Sequence, residues 1–167
     1  TSSETAIGLY VENVLFDDTT NWSLTGGLTL EGGSSGDYLY GSQYNDTHSG
    51  MDGYDTLYGN RGNDTLIGGA ELDYLTGGTG NDTYAFAAGD GFDYVYESAE
   101  EGTDTIRLTG YATSDVRMWT DSSGHLHIAN RADAADETVV VASTTGASGT
   151  SSETAIGLYV ENVLFDD

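Results

Sequence analysis

A period of nine residues constrains this chain more than any other feature. From residue 32 to 85 the sequence cuts into GGSSGDYLY, GSQYNDTHS, GMDGYDTLY, GNRGNDTLI, GGAELDYLT and GGTGNDTYA. The first position is always glycine: Gly32, Gly41, Gly50, Gly59, Gly68 and Gly77. The sixth is always aspartate: Asp37, Asp46, Asp55, Asp64, Asp73 and Asp82. The eighth is apolar in five of the six copies (Leu39, Leu57, Leu66, Leu75, Tyr84), with His48 the exception. A looser seventh copy, residues 88–96, follows a two-residue insertion at Phe86-Ala87 and carries Asp93. Glycine supplies positive φ and Asn or Asp tolerates it, so the first six residues of each copy read as a turn. The last three, such as Thr65-Leu66-Ile67, read as a short strand with one inward apolar side chain. Two copies then make one coil of 18 residues, and coils stack as parallel strands. Odd copies lie on one face and even copies on the other. Asp37, Asp55 and Asp73 line one edge; Asp46, Asp64 and Asp82 line the opposite one.

Charge says what those edges need. The 167 residues hold 28 Asp and Glu against four Arg and no Lys, a formal net charge of −24. That balance excludes nucleic acid and a polybasic membrane patch, since both demand the opposite sign. Cysteine is absent, which removes disulfides, thiolate metal sites and a cysteine nucleophile. No apolar run approaches the ~18 residues that would span a bilayer. With 37% hydrophobic residues and 12 tyrosines, the chain is too apolar for a plain acidic tail, and reads as a fold that needs cations. Stacked coils sit one strand spacing apart, roughly 4.8 Å, where two carboxylates require a cation between them. Calcium suits the gap, because it accepts oxygen ligands in flexible geometry, including turn carbonyls. Magnesium wants a stricter octahedron, and transition metals want His or Cys, which the columns do not offer.

The repeat resembles the RTX family, whose G-G-x-G-x-D-x-U-x nonapeptide marks secreted calcium-binding proteins. The resemblance covers residues 32 to about 96. It implies an all-β fold, a parallel β-roll of three to four coils with an ion between the turns of copies n and n+2. Four sites follow: Asp37 with Asp55, Asp46 with Asp64, Asp55 with Asp73, and Asp64 with Asp82. A fifth pair, Asp73 with Asp93, spans the insertion that breaks the register. Carbonyl ligands are expected from Gly33, Ser35, Gly53, Gly62, Gly69, Gly78 and Gly80. Position four departs from glycine at Ser35, Tyr44 and Glu71, so the Asp64–Asp82 site is expected to be the most regular. His48 is read as a half-exposed residue of the first coil. By the same resemblance the protein is secreted, extracellular or on a bacterial cell surface, and exported through a type I system.

Outward positions seven and nine give Tyr38, Tyr40, Tyr58, Tyr74, Tyr94 and Tyr96 on the odd face and no tyrosine on the even face. Two readings stand: a cross-strand aromatic ladder covered by flanking sequence, or a contact surface for glycan, a neighbouring module or a partner protein.

A longer repeat frames the short one. Residues 1–18, TSSETAIGLYVENVLFDD, recur unchanged as residues 150–167, an offset of 149. This predicts one module of a tandem array plus the start of the next. The expected organisation is 1–31 as strands and a cap, 32–97 as the calcium-binding roll, 98–149 as a small antiparallel β cap, and 150–167 as the duplicate. Asp104–Leu108, Val116–Thr120, His125–Ala129 and Thr138–Ala142 are expected strands of that cap, with Asp121–Gly124 a hairpin turn. Thr20–Leu24 and Leu28–Leu30 are expected to cap the other end, 130–137 to form a surface loop or short helix, and 143–152 a linker.

No enzyme is expected. His125 and His127 share one face of a strand with no third ligand evident nearby, and no G-x-S-x-G elbow, phosphate loop or dinucleotide fingerprint occurs. The expected role is a calcium-binding structural module, a spacer or stalk of an adhesin or other repeat protein. The alternatives are a binding module using the tyrosine face, and a non-catalytic appendage of a secreted enzyme.

Overall fold

The computed structural model describes residues 13–15, 21–23, 26–97, 102–131, 137–142, 160 and 162–166. Two parallel sheets face each other across a narrow core. The even sheet runs β3 (Thr29–Glu31), β5 (Thr47–Asp52), β7 (Thr65–Ala70), β9 (Thr83–Ala87), β11 (Thr105–Thr109) and β15 (Asn162–Asp166), in that spatial order. The odd sheet runs β4 (Tyr38–Tyr40), β6 (Thr56–Arg61), β8 (Tyr74–Thr79) and β10 (Phe92–Glu97), then β14 (Glu137–Ala142), β13 (Leu126–Asn130) and β12 (Val116–Thr120). The chain crosses between sheets at every turn, and β3 to β10 make four coils. This is an all-β parallel roll. Separately, β1 (Asn13–Leu15) pairs antiparallel with β2 (Asn21–Ser23).

Register follows the period. Leu39 pairs with Leu57 and Leu57 with Leu75, while His48 pairs with Leu66 and Leu66 with Tyr84. The position-eight side chains point inward and form two columns, Leu39, Leu57, Leu75 and Val95 against His48, Leu66, Tyr84 and Ile106, all buried, with Phe86 and Leu108 adding to the core on β9 and β11. Burying such a side chain contributes about 1.5–3 kcal/mol.

Four placements differ from the sequence expectation. β11 is not part of the antiparallel unit; it pairs parallel with β9 from Thr105↔Thr83 to Thr109↔Ala87. Leu30 lies in β3, a strand of the even sheet paired with β5, rather than in a separate cap. The insertion at Phe86-Ala87 does not break the register, since Tyr94 pairs with Tyr74 and Val95 with Leu75. His48 is fully buried, because position eight faces the core whatever residue occupies it.

The antiparallel unit is present in β12, β13 and β14. It continues the odd sheet, since β14 also pairs parallel with β10 over six residues, Phe92↔Glu137 to Glu97↔Ala142. The expected linker at 143–152, and most of the 130–137 loop, lie outside the described residues.

Candidate metal centre

Each edge of the roll is built by one hydrogen bond repeated from coil to coil. The backbone N–H of a register aspartate donates to Oδ1 of the aspartate one coil on. On the odd edge the bonds are Asp37 to Asp55 (2.7 Å), Asp55 to Asp73 (2.8 Å) and Asp73 to Asp93 (3.1 Å). On the even edge they are Asp46 to Asp64 (2.7 Å), Asp64 to Asp82 (2.7 Å) and Asp82 to Asp104 (2.8 Å). The even column starts one coil earlier, where Leu28 donates its N–H to Asp46 Oδ1 from the register position of an aspartate. All eight column carboxylates are buried, none more than 7% exposed.

The second carboxylate oxygen decides what the site can do. In the first coil it is satisfied, with Gly33 N–H donating to Asp37 Oδ2 and Ser42 N–H to Asp46 Oδ2. Deeper in the stack, Oδ2 of Asp55, Asp64 and Asp73 is buried and accepts no hydrogen bond from the described residues. Each faces the position-one glycine of its own turn: a Cβ on Gly50, Gly59 or Gly68 would run into Oδ2 of Asp55, Asp64 or Asp73. Gly50, Gly59 and Gly68, having no side chain, therefore let the carboxylate lie directly against the backbone of its own turn.

Anionic oxygens in that setting are costly. Burial pushes the Asp64 and Asp73 carboxyls up from the usual 3.8 to about 7, opposed by the N–H donated from the preceding coil and reinforced by the neighbouring column aspartates. Burial likewise raises Asp55, with Asp37, Asp52 and Glu71 adding repulsion. The donor set is oxygen only, which suits a hard cation and not a thiolate- or imidazole-seeking metal.

The turns behind the columns stack closely. A Cβ on Gly53 would meet the Ser35 carbonyl, one on Gly62 the Tyr44 carbonyl, and one on Gly80 the Gly62 carbonyl. Gly69 and Gly78 meet the carbonyls of Met51 and Asn60 in the same way. The Gly33 carbonyl accepts the Asp52 N–H at 3.2 Å, which leaves it one lone pair. Glu71, at position four, takes φ 87° in the left-handed region where the pattern asks for glycine.

Two site residues escaped the sequence reading. Asp104 continues the even column, and its signal was legible: Gly102-Thr-Asp-Thr-Ile106 repeats Gly80-Asn-Asp-Thr-Tyr84 after 22 residues. Glu97 stands two residues after Val95, the place Gly77 holds after Leu75. Its carboxylate turns inward, 1% exposed, and accepts the Tyr84 hydroxyl, which itself accepts the Gly77 N–H at 2.7 Å. Carboxylate oxygens of Asp82, Glu97 and Asp104 lie within 4.8 Å of one another.

Elsewhere, both ring nitrogens of His48 are buried without a hydrogen bond among the described residues, and burial lowers its pKa against the pull of Asp46. His125 and His127 do have a third group beside them. Asp121 Oδ2 lies 3.1 Å from His125 Nδ1 and 3.4 Å from His127 Nε2. Trp119 stacks on His127 at 4.8 Å and Arg117 on Trp119 at 4.1 Å. On the odd face the tyrosines stack, Tyr40 on Tyr58 at 5.0 Å and Tyr74 on Tyr94 at 5.4 Å. Tyr38 remains 56% exposed.

A parallel roll with two buried carboxylate columns along its turns defines a class of protein, the aspartate-lined β-roll. Residues 31–66, 40–75, 49–84 and 58–95 each match the RTX calcium-binding nonapeptide repeat, so the segment 31–95 is an RTX calcium-binding β-roll. No curated protein sequence matches the chain.

Proposed function

We propose that the chain is a structural module that folds when calcium enters its aspartate columns, and that it serves as a spacer or as a folding and secretion module of an exported repeat protein. The observation that carries this is the set of buried Oδ2 atoms on Asp55, Asp64 and Asp73 that accept no hydrogen bond from the described residues. Calcium would be held by Asp37, Asp46, Asp55, Asp64, Asp73, Asp82, Asp93 and Asp104. Carbonyls of the turns at Gly33, Ser35, Gly53, Gly62, Gly69, Gly78 and Gly80 would complete the shells. The four sites expected from sequence gain support for a fifth, because the Asp73–Asp93 bond is intact. Asp82, Asp104 and Glu97 offer a sixth set. Binding energy becomes folding energy when the site exists only in the folded chain. Where calcium is scarce the columns repel and the chain stays open; near millimolar calcium, outside a cell, it closes. That order of events suits passage through a type I export channel. Among the described residues no helix is long and apolar enough to cross a membrane.

Solution scattering tests the reading. The radius of gyration should fall from about 40 Å in chelator toward about 15–20 Å in calcium, the unfolded and compact values for a chain of this length. Equal radii in the two conditions contradict it.

The exposed tyrosines, Tyr38 at 56%, Tyr40 at 37%, Tyr74 at 39% and Tyr96 at 39%, favour one additional role: with Tyr58 and Tyr94 they form a contact face for glycan or a protein partner. Tyr38→Ser/Tyr58→Ser/Tyr74→Ser should abolish such binding with calcium affinity intact. Loss of folding instead would assign the tyrosines to the ladder alone.

A further inference from the structure

The duplicated segment is used twice, in two different ways. Its second copy supplies β15, which lies parallel along β11 over five register pairs, Thr105↔Asn162 to Thr109↔Asp166. Val160 is 3% exposed there, and Val163 and Phe165 pack against the core. The same sequence, Asn-Val-Leu-Phe-Asp, occurs at 13–17. In that copy Asn13–Leu15 makes a three-pair antiparallel ladder with β2. The fold thus holds one β11 edge and two identical strands able to occupy it. The two sit in different sheets: β15 closes one end of the even sheet, while β1 pairs with β2 in a sheet of its own.

We propose that the β11 edge is an acceptor for a second copy of this chain: residues 13–17 of one molecule take the place of residues 162–166 on another. Val14 and Phe16 would then fill the positions of Val163 and Phe165 and pack against the core as that pair does in β15. A donating molecule gives up three ladder pairs at β1–β2 and forms five at β11. Within one chain the β15 strand is favoured by its effective concentration, of order mM for a short tether. Exchange prevails when that strand is removed or when many copies are held close together. Donor strand and acceptor edge are different surfaces in different sheets, so the interface is heterologous and propagates head to tail instead of closing as a symmetric dimer. This concerns how copies join and goes beyond the calcium reading, so every test is run in saturating calcium with strand circular dichroism recorded alongside.

Val163→Asp/Phe165→Asp disables the internal strand and leaves the donor unchanged. In sedimentation its weight-average mass should rise at least about twofold over the unsubstituted chain, since open heterologous interfaces keep adding copies. Adding Val14→Asp/Phe16→Asp should return it to monomer. Because the chain has no cysteine, Arg107→Cys with Leu15→Cys in that background should give a ladder of multimers with a short bismaleimide. Leu164 is the register partner of Arg107, and Leu15 is its counterpart in the first copy. A monomer with the strand signal of the unsubstituted chain overturns the proposal. A second variant ending at Tyr159 leaves β11 bare. A synthetic peptide of residues 150–167 should bind it and raise its strand signal and melting temperature. Failure of the peptide to bind or to restore either also overturns the proposal.

Discussion

On the even edge of the roll, Asn45, Asn63 and Asn81 run beside the aspartate column. Asn63 N–H donates to Asn45 Oδ1, Asn81 N–H to Asn63 Oδ1, and Thr103 N–H to Asn81 Oδ1, all at 2.8–2.9 Å. On the odd edge the same positions hold Gly36, Tyr54 and Leu72, which make no such ladder, and Tyr54 is 68% exposed. Both edges take positive φ on glycine, at Gly62 and Gly80 on the even side and at Gly53 and Gly91 on the odd, and both place side-chain residues there, Asn60 on the even side and Met51 and Glu71 on the odd. Acidic neighbours crowd the odd column too, with Asp52, Glu71 and Asp90 each pushing Asp55 or Asp73 upward. Both edges keep the aspartate ladder, so that ladder is what the nonapeptide requires. The asparagine ladder is an addition that only the even edge carries. The even edge therefore has a second row of hydrogen bonds in its turns, and the odd edge lacks one among the described residues.

Mutations can break this comparison. The largest effect is expected for Asp64→Ala, which removes the acceptor of the Asp46 N–H and a carboxylate flanked on both sides. Loss of a buried charged partner costs about 3 kcal/mol, read by urea unfolding in saturating calcium. Asp55→Ala should approach it. Asp37→Ala, in the first coil and flanked on one side only, should cost about 1 kcal/mol. Equal effects at Asp37 and Asp55 would defeat the column account.

Acid comes next. Asp64 and Asp73 sit at about 7 without a cation, against an unfolded value near 4. The folded chain thus holds protons that the unfolded chain has released, so stability of the calcium-free chain falls as pH rises from about 4 through 7. In calcium the sign reverses, because protons compete with the ion for the same oxygens. The strand signal of the calcium-free chain should be stronger at pH 5 than at pH 7.5, while the melting temperature in calcium should be lower at pH 5 than at pH 7.5; the same trend in both conditions would contradict the assignment.

Smaller effects separate the edges directly. Asn63→Ala should cost about 1 kcal/mol, the value of a hydrogen bond lost on the even edge, while Tyr54→Ala on the odd edge should be neutral within about 0.5 kcal/mol. Glu71→Gly should stabilise by about 1 kcal/mol, since a left-handed side-chain residue is strained by that order. Chemical denaturation in calcium checks all three. A stabilising Glu71→Gly with a costly Tyr54→Ala would mean that the odd edge has a support of its own.

Much of the roll was legible because nine residues are half a coil, so Leu57 and Leu75, or Asp64 and Asp82, had to coincide. What escaped has physical reasons. Glu97 fills a position where the period demands glycine, so pattern matching passes over it, yet its neighbours Tyr84 and Asp82 make an inward carboxylate useful. Asp104 is displaced by a 22-residue coil instead of an 18-residue one. β11, β14 and β15 join the sheets because each fills a free strand edge, and their local sequence does not state which edge. His48 shows the pattern overriding the residue: position eight faces inward, and imidazole is buried there with no hydrogen bond among the described residues.

Far-UV circular dichroism of the whole chain, titrated with calcium and then with magnesium from a chelated start, tests the central claim most directly. The account predicts a weak strand signal in EGTA, a cooperative rise with calcium and little response to magnesium. A full strand signal in EGTA that calcium leaves unchanged would contradict it.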